Sequence, residues 1–434
     1  MRYDSTIYLH QIWYNPNIDL AKGGRDVIAW LREPPSIDVH PVLLAKKMLV
    51  TALFLQYFPP SSNHGFTEDP REMTNRLGEE AIKLVTTNEG LHGWIESIEV
   101  ILLESLYHSN YGNLRRAWLA MRRAMTVAQL MGLDREQDPR IRVLDPARTP
   151  DHRFIWHNIV YLDRYMSLVL GLPCGVVDEM TEYQSTVQPG LSGTTWLALE
   201  LQHSRVTKRL LQRHKSRDID ADTQDIDDLL LAAAKSVPDD FWVSPNYDGP
   251  DSGQAAFWRT LRGMSQVKHY SLLNALHLPY LLREDPTGKY EHSKVACLMA
   301  AREILRRYNG FRGSKPILSC CRPLDFVALL ASLTVMVAQM NTNRPNITYS
   351  FLGQQRPSDR ALIEHVLRTM DRVAQVNDDA MTYQSACLLR RLMHIEADAF
   401  AGHSYVTEKV GAIEDPASKD KCTLDKCTTL HLEM

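Results

Sequence analysis

NLRRAWLAMRRAMTVAQLMGLDRE (residues 113–136) and TPDHRFIWHNIVYLDRYMSLVLGLP (149–173) form the stretch from which the rest of the chain can be read. In the first segment Leu114, Ala117, Trp118, Met121, Met125 and Ala128 recur at steps of three and four. At about 3.6 residues per turn they share one stripe of a helix. Arg115, Arg116, Arg122 and Arg123 lie off that stripe, but so do Leu119, Val127 and Leu130, which predicts packing on more than one side. Gly132 followed by Leu133 suits a left-handed C-terminal cap with an apolar contact. The second segment reads as a helix capped by Thr149, with Pro150 at its first position and Asp151 at the positive end of the dipole. Phe154, Trp156, Ile159, Val160 and Leu162 supply bulk. Asp163, Ser167 and Gly171 follow at i+4 spacing, and Gly171 with Pro173 stops the helix.

Outward from this pair the pattern stays helical. Upstream, a turn is expected near Asp26–Leu31, then helices over His40–Tyr57, Glu72–Val85 and Trp94–Tyr107. Downstream, helical spacing covers Thr195–His214, Gln254–Leu282, KYEHSKVACLMAAREILRRY, CCRPLDFVALLASLTVMVAQM, Asp359–Val376 and Asp378–Phe400. No β-alternation persists and no fixed-period repeat recurs. The expected fold is all-α, a single large multi-helix domain over residues 1–402, with a polar, partly disordered tail over 403–434.

With 434 residues, 23% charged and 44% hydrophobic, the chain can bury a sizeable core. Its net charge of −3 gives no reason for tight sequence-independent binding to nucleic acid. No apolar run reaches the roughly 20 residues that span a bilayer, and no secretory signal opens the chain, so no membrane partner is expected. Seven cysteines at 174, 297, 320, 321, 387, 422 and 427 read as free thiols. Between Lys208 and Asp228 basic residues give way to acidic ones. A nuclear import signal beside an activation segment is one reading; the favoured one is a helix end followed by a helix start, each matching its dipole.

The central helix pair resembles the middle homology region of fungus-specific transcription factors, the helical domain of zinc binuclear cluster regulators. The resemblance rests on Ala117-Trp118, on Gly132 and Arg135 in MGLDR, on Phe154 with Trp156, and on Asp163, Ser167, Gly171 and Pro173. Leu172 departs from the family's usual Arg between Gly and Pro. Later elements (Val237-Pro238 to Trp242, His277-Leu278-Pro279, Tyr290-Glu291 to Ala300-Ala301-Arg302, and Leu388-Leu389-Arg390-Arg391) extend the likeness over about Pro41–Gly402. The family's six closely spaced cysteines are not found, since the first cysteine is Cys174 and no two have Cys-x2-Cys spacing. No zinc or other cofactor is therefore expected in this chain.

Motifs for chemistry are equally sparse. There is no Gly-x-Ser-x-Gly elbow, phosphate-binding loop or dinucleotide fingerprint. His152 and His157 fall on different helix faces, and His108 and His277 read as satisfied structural groups. Asp163, on an otherwise apolar helix, needs a partner if buried; Arg153 and Arg164 are the candidates, and a polar link between helices is favoured over a catalytic acid. Trp118, Trp156, Tyr161 and Met166 read first as core and second as the lining of an apolar pocket.

The resemblance implies a transcriptional regulator, not an enzyme, controlling a fungal secondary-metabolite gene cluster from the nucleus, with the cytoplasm as the other location. DNA contact would come through a protein partner or an upstream segment missing from this sequence. A homo-oligomer and a small-molecule effector are further expected partners. Two other readings stay open: an all-α enzyme of cyclase or isomerase type, and a non-catalytic scaffold.

Overall fold

The structure is a computed structural model that describes residues 29–56, 68–135, 141–145, 151–176, 192–213, 219–247, 253–283, 287–314, 322–342, 354–400, 404–405 and 432–433. After a helical turn at 29–32, the chain enters α1 (Pro41–Leu55), α2 (Pro70–Ala81), α3 (Ile95–Asn110), α4 (Leu114–Leu130) and α5 (His152–Leu170). There follow α6 (Ser192–Gln212), α7 (Ile219–Lys235) and α8 (Gly253–Leu281). The last helices are α9 (Glu291–Ser314), α10 (Arg322–Thr342), α11 (Arg356–Asn377) and α12 (Ala380–Phe400). The all-α, single-domain expectation stands. The only β structure among the described residues is a two-residue antiparallel pairing of Ser404–Tyr405 with Leu432–Glu433; the rest of 403–434, and residues 1–28, lie outside them.

Helix ends obey local chemistry. α1 and α2 begin on Pro41 and Pro70, with His40 and Asp69 accepting from N–H groups of the first turn. Gly132 takes φ +79° after α4, and the Leu133 N–H reaches the Ala128 carbonyl at 3.0 Å, with Leu133 buried beneath. Gly171 takes φ +66° after α5, and the Leu172 N–H reaches the Ser167 carbonyl at 2.9 Å. Both are left-handed caps that only glycine adopts without steric cost. The start of α5 corrects the sequence reading. Thr149 and Pro150 lie outside the described residues, and Asp151 is itself the N-cap, accepting from the Phe154 N–H at 3.0 Å.

Successive helices pack as neighbours. α1 with α3 forms one core around Leu49, Leu53, Val100 and Tyr107, and α3, α4 and α5 form a second around Ile98, Met121, Met125 and Trp156. α6, α7 and α8 share Val206, Ile226, Leu272 and Leu276, and α8–α12 enclose the largest core. The ring of helices closes where α10 meets α3: Arg322 donates to the Tyr111 carbonyl at 2.6 Å and to Asp379 at 2.9 Å.

Two further expectations change, and a third stands. Val127 is buried, but Leu119 and Leu130 are 56% and 82% exposed, so α4 uses one face plus its edge rather than two sides. A membrane-length apolar helix does exist by length and composition, over Arg322–Met340 at mean hydropathy 1.6. Asp325 and Gln339 interrupt its apolar run in the sequence, yet both are buried in polar bonds within the bundle, and just over half of the span is buried as core. The basic-to-acidic switch is a helix boundary: Arg209 lies in the last turn of α6, and Asp220 and Asp222 in the first turn of α7.

Candidate functional site

Two places on α5 concentrate the polar chemistry. The first joins most of the sequence-selected residues. Ala117 is fully buried, and its carbonyl accepts from the Ser105 hydroxyl at 2.8 Å, an approach of α3 that a small side chain allows. One residue on, the Trp118 indole N–H donates to the Ser167 hydroxyl at 3.0 Å, and that hydroxyl donates to the Pro173 carbonyl at 3.3 Å. Asp163, one turn before Ser167, is fully buried. It accepts from the Gly175 N–H at 2.7 Å and from Arg122 of α4 at 3.4 Å. Arg122 also lies over the Trp118 ring, 5.2 Å from its centroid.

Burial raises the Asp163 carboxyl above its ordinary value, and the Gly175 N–H and Arg122 act against that rise. The hydrogen-bonding partner is therefore Arg122, while Arg164, one of the two sequence candidates, acts on Asp163 as a neighbouring charge. Arg153 is exposed, and Arg164 makes no hydrogen bond to Asp163; its Nε and Nη2 are buried without an acceptor among the described residues. Sequence spacing along α5 suggested a partner on the same helix, whereas the carboxylate faces α4. Gly175 was missed altogether: a Cβ there would meet the ends of the Arg122 and Met125 side chains, which would have to shift to make room. Trp156 stays in the core, Gly132 is a cap, and Arg135 sits on the surface beside Asp134. The constellation thus ties α4, α5 and the chain beyond Pro173 together, and both carboxylate oxygens of Asp163 are engaged.

The second place is a half-enclosed cavity of about 190 Å³ between α5, α6 and α8. Tyr161 is the only one of the four expected pocket residues that lines it; Trp156 and Met166 pack in the α3–α5 core. Trp196, Phe257, Leu261 and Met264 make the rest of the wall apolar, and polar groups gather at one end. There Glu200 accepts from Lys268 at 2.8 Å and from Ser265 at 3.2 Å, while Lys268 sits over the Tyr161 ring at 4.4 Å. Burial, helped by the neighbouring Glu200 carboxylate, holds the Tyr161 phenol well above its usual value, so it stays protonated.

Next along α6 and α8, His203 and His269 share a hydrogen bond of 3.2 Å, and Trp242 packs on His269. Burial pushes His203 well below the usual imidazole value and His269 down to about 4. Among the described residues no group of three or more His, Cys, Asp or Glu side chains is arranged to hold a metal ion.

The fungal specific transcription factor domain matches residues 9–187. Across 93% of its length the chain is 40% identical to a dehydrocurvularin biosynthesis regulator of Aspergillus terreus, covering 56% of that protein. A regulator of the same name from Alternaria cinerariae is 38% identical over 91% of the chain and 52% of its own length. The probable transcription factor gsfR1 of Penicillium aethiopicum is 36% identical over 83% of the chain and 53% of its own length. The chain spans about half the length of these curated relatives. No solved structure matches.

Proposed function

The chain belongs to the fungal specific transcription factor family, and from that premise we propose that it regulates transcription of a secondary-metabolite gene cluster from the nucleus. The observation that carries this reading is the similarity to biosynthesis regulators along nearly the whole chain. The geometry around Asp163 favours a regulator over an enzyme. The one carboxylate the sequence offered as a catalytic acid is fully buried, with both oxygens taken by Gly175 and Arg122. DNA contact would be made by a partner chain or by a segment outside this sequence, and a small molecule would act as effector.

The test is deletion of the gene in its host, with transcripts and metabolites profiled together under producing conditions. The expected result is a joint fall of co-located biosynthetic transcripts. Steady transcripts with one accumulating pathway intermediate would overturn the reading in favour of an enzyme.

A further inference from the structure

We propose that the cavity between α5, α6 and α8 is a binding site for a neutral, ring-sized apolar molecule that carries at least one acceptor oxygen, such as a carbonyl. This deepens the effector part of the reading above, on which only the word effector depends; the site itself is argued from its walls.

Size comes first. A cavity of about 190 Å³ is slightly larger than the ~150 Å³ that holds a benzene ring in a protein interior. Aromatic and aliphatic side chains from three helices line it, with Tyr161, Phe257 and Trp196 offering ring surfaces. A second cavity of about 290 Å³ shares Trp196 and Leu261 with it.

Polarity sets the class. The Trp196 indole is 8% exposed, and its Nε1–H finds no acceptor among the described residues. A buried indole N–H normally has a partner, and because it can only donate, what completes it must accept. Charge sets the rest. Glu200 and Lys268, the ionic groups at the polar end, already pair with each other at 2.8 Å, and Tyr161 remains a neutral phenol. Among the described residues that line the cavity, no charged group is left over to recruit an ion. A water molecule would satisfy the indole but would also wet the Phe257, Leu261 and Met264 wall, which an apolar ring covers instead.

The position gives such a ligand something to act on. Tyr161 lies two residues before Asp163 on α5, so the cavity wall and the bonds to α4 and Gly175 share one helix. Occupancy would stiffen the contacts of α5 with α6 and α8.

The experiment uses the full chain labelled with 15N at its tryptophan indoles and titrated with acetophenone. Toluene serves as the ring of similar size without an acceptor. Trp196→Phe identifies the Trp196 resonance among the eight tryptophans. Acetophenone is expected to move that resonance saturably and to raise Tm, and toluene to bind at least about tenfold more weakly. Thr260→Phe from α8 and Leu162→Phe from α5 each fill the cavity from a different wall, and whichever folds should abolish the shift.

Absence of a saturable shift up to the solubility limit overturns the site, as does a shift that survives the filled cavity. Equal binding of toluene overturns the acceptor class. Failure here leaves the transcript test untouched, and failure of the transcript test leaves this titration untouched, so the two readings fall separately.

Discussion

The α3–α5 region and the α9–α12 region are held by different kinds of polar chemistry. In α3–α5 the links are mixed: an indole to a hydroxyl, a hydroxyl to a carbonyl, a carboxylate shared between a backbone N–H and a part-exposed arginine, and the ion pairs of Glu104 with Arg123 and of Glu99 with Lys46 of α1. In α9–α12 they are buried ion pairs. Arg302 meets Asp359 through two bonds of 2.6 and 2.8 Å, and Arg312 meets Asp325 at 3.0 and 2.5 Å, with all four residues at 5% exposure or less. The hydrogen-bonded links of the first region lose modestly when one member is removed. A buried ion pair strands a charge in the core, and that asymmetry makes it the more fragile.

Acid should separate the regions with the largest effect. His108 on α3 and His157 on α5 are pushed down to about 4 by burial, as is His269 on α8. A folded-state imidazole held below its usual value of about 6.5 contributes stability that is fully present above that value. The contribution is lost as pH falls through the window toward 4, because the unfolded chain takes up the proton first. Asp325 is raised by burial, as are Asp163 and Glu104 in the first region, so acid costs neither region stability through those carboxyls and the imidazoles make the difference. Hydrogen exchange at pH 5 against pH 7.5, corrected for intrinsic rates, should show α3–α5 and α8 losing protection before α9–α12. Uniform loss across all twelve helices would erase the distinction.

Arg302→Ala comes next. It should cost about 3–5 kcal/mol in denaturant unfolding, because Asp359 would lose its counter-charge and keep the bond from Gln339. The double change Arg302→Met with Asp359→Leu should restore only part of the loss, since the apolar pair needs no counter-charge but the buried Gln339 amide loses its bond to Asp359. If the single change costs less than about 1 kcal/mol, the ion pair is not what holds this region.

Those ion pairs were also the part of the fold that sequence reading did not find. Arg302 and Asp359 are 57 positions apart, and an arginine in a helical segment reads by default as surface. A signal was present, because Arg312 continues the stripe Leu305, Tyr308 at helical spacing and so belongs to an apolar face. The α4–α5 constellation was legible for the opposite reason. Its capping glycines follow local rules, and Trp118, Asp163 and Ser167 stand out as polar groups on apolar faces. Even there, the partner of Asp163 lay across the helix interface at Arg122, where spacing along one helix could not point. The cavity had no sequence signature, since three helices distant in the chain build it together.

Asp163→Ala should cost about 2 kcal/mol, less than Arg302→Ala, because its charged partner Arg122 is a third exposed and can turn to water. Asp163→Asn keeps an acceptor for the Gly175 N–H and should lose about half as much. Equal losses in the two variants would mean that the charge on Arg122, rather than the backbone bond, sets the cost.

Trp118→Phe is the smallest change and the sharpest probe of the mixed network. It removes the N–H that the Ser167 hydroxyl accepts at 3.0 Å but leaves a ring under Arg122. Ser167 can still donate to the Pro173 carbonyl, so no donor is stranded and the expected loss is about 1 kcal/mol. Ser167→Ala alone removes both bonds, and the two changes together should cost less than their sum by roughly 0.5–1 kcal/mol, the coupling of a direct contact. Strict additivity would mean that the indole and the hydroxyl stabilise the fold independently. The link from α4 through Ser167 to Pro173 would then be geometry without energy, and α5 would be held to α4 by Asp163 and apolar packing alone.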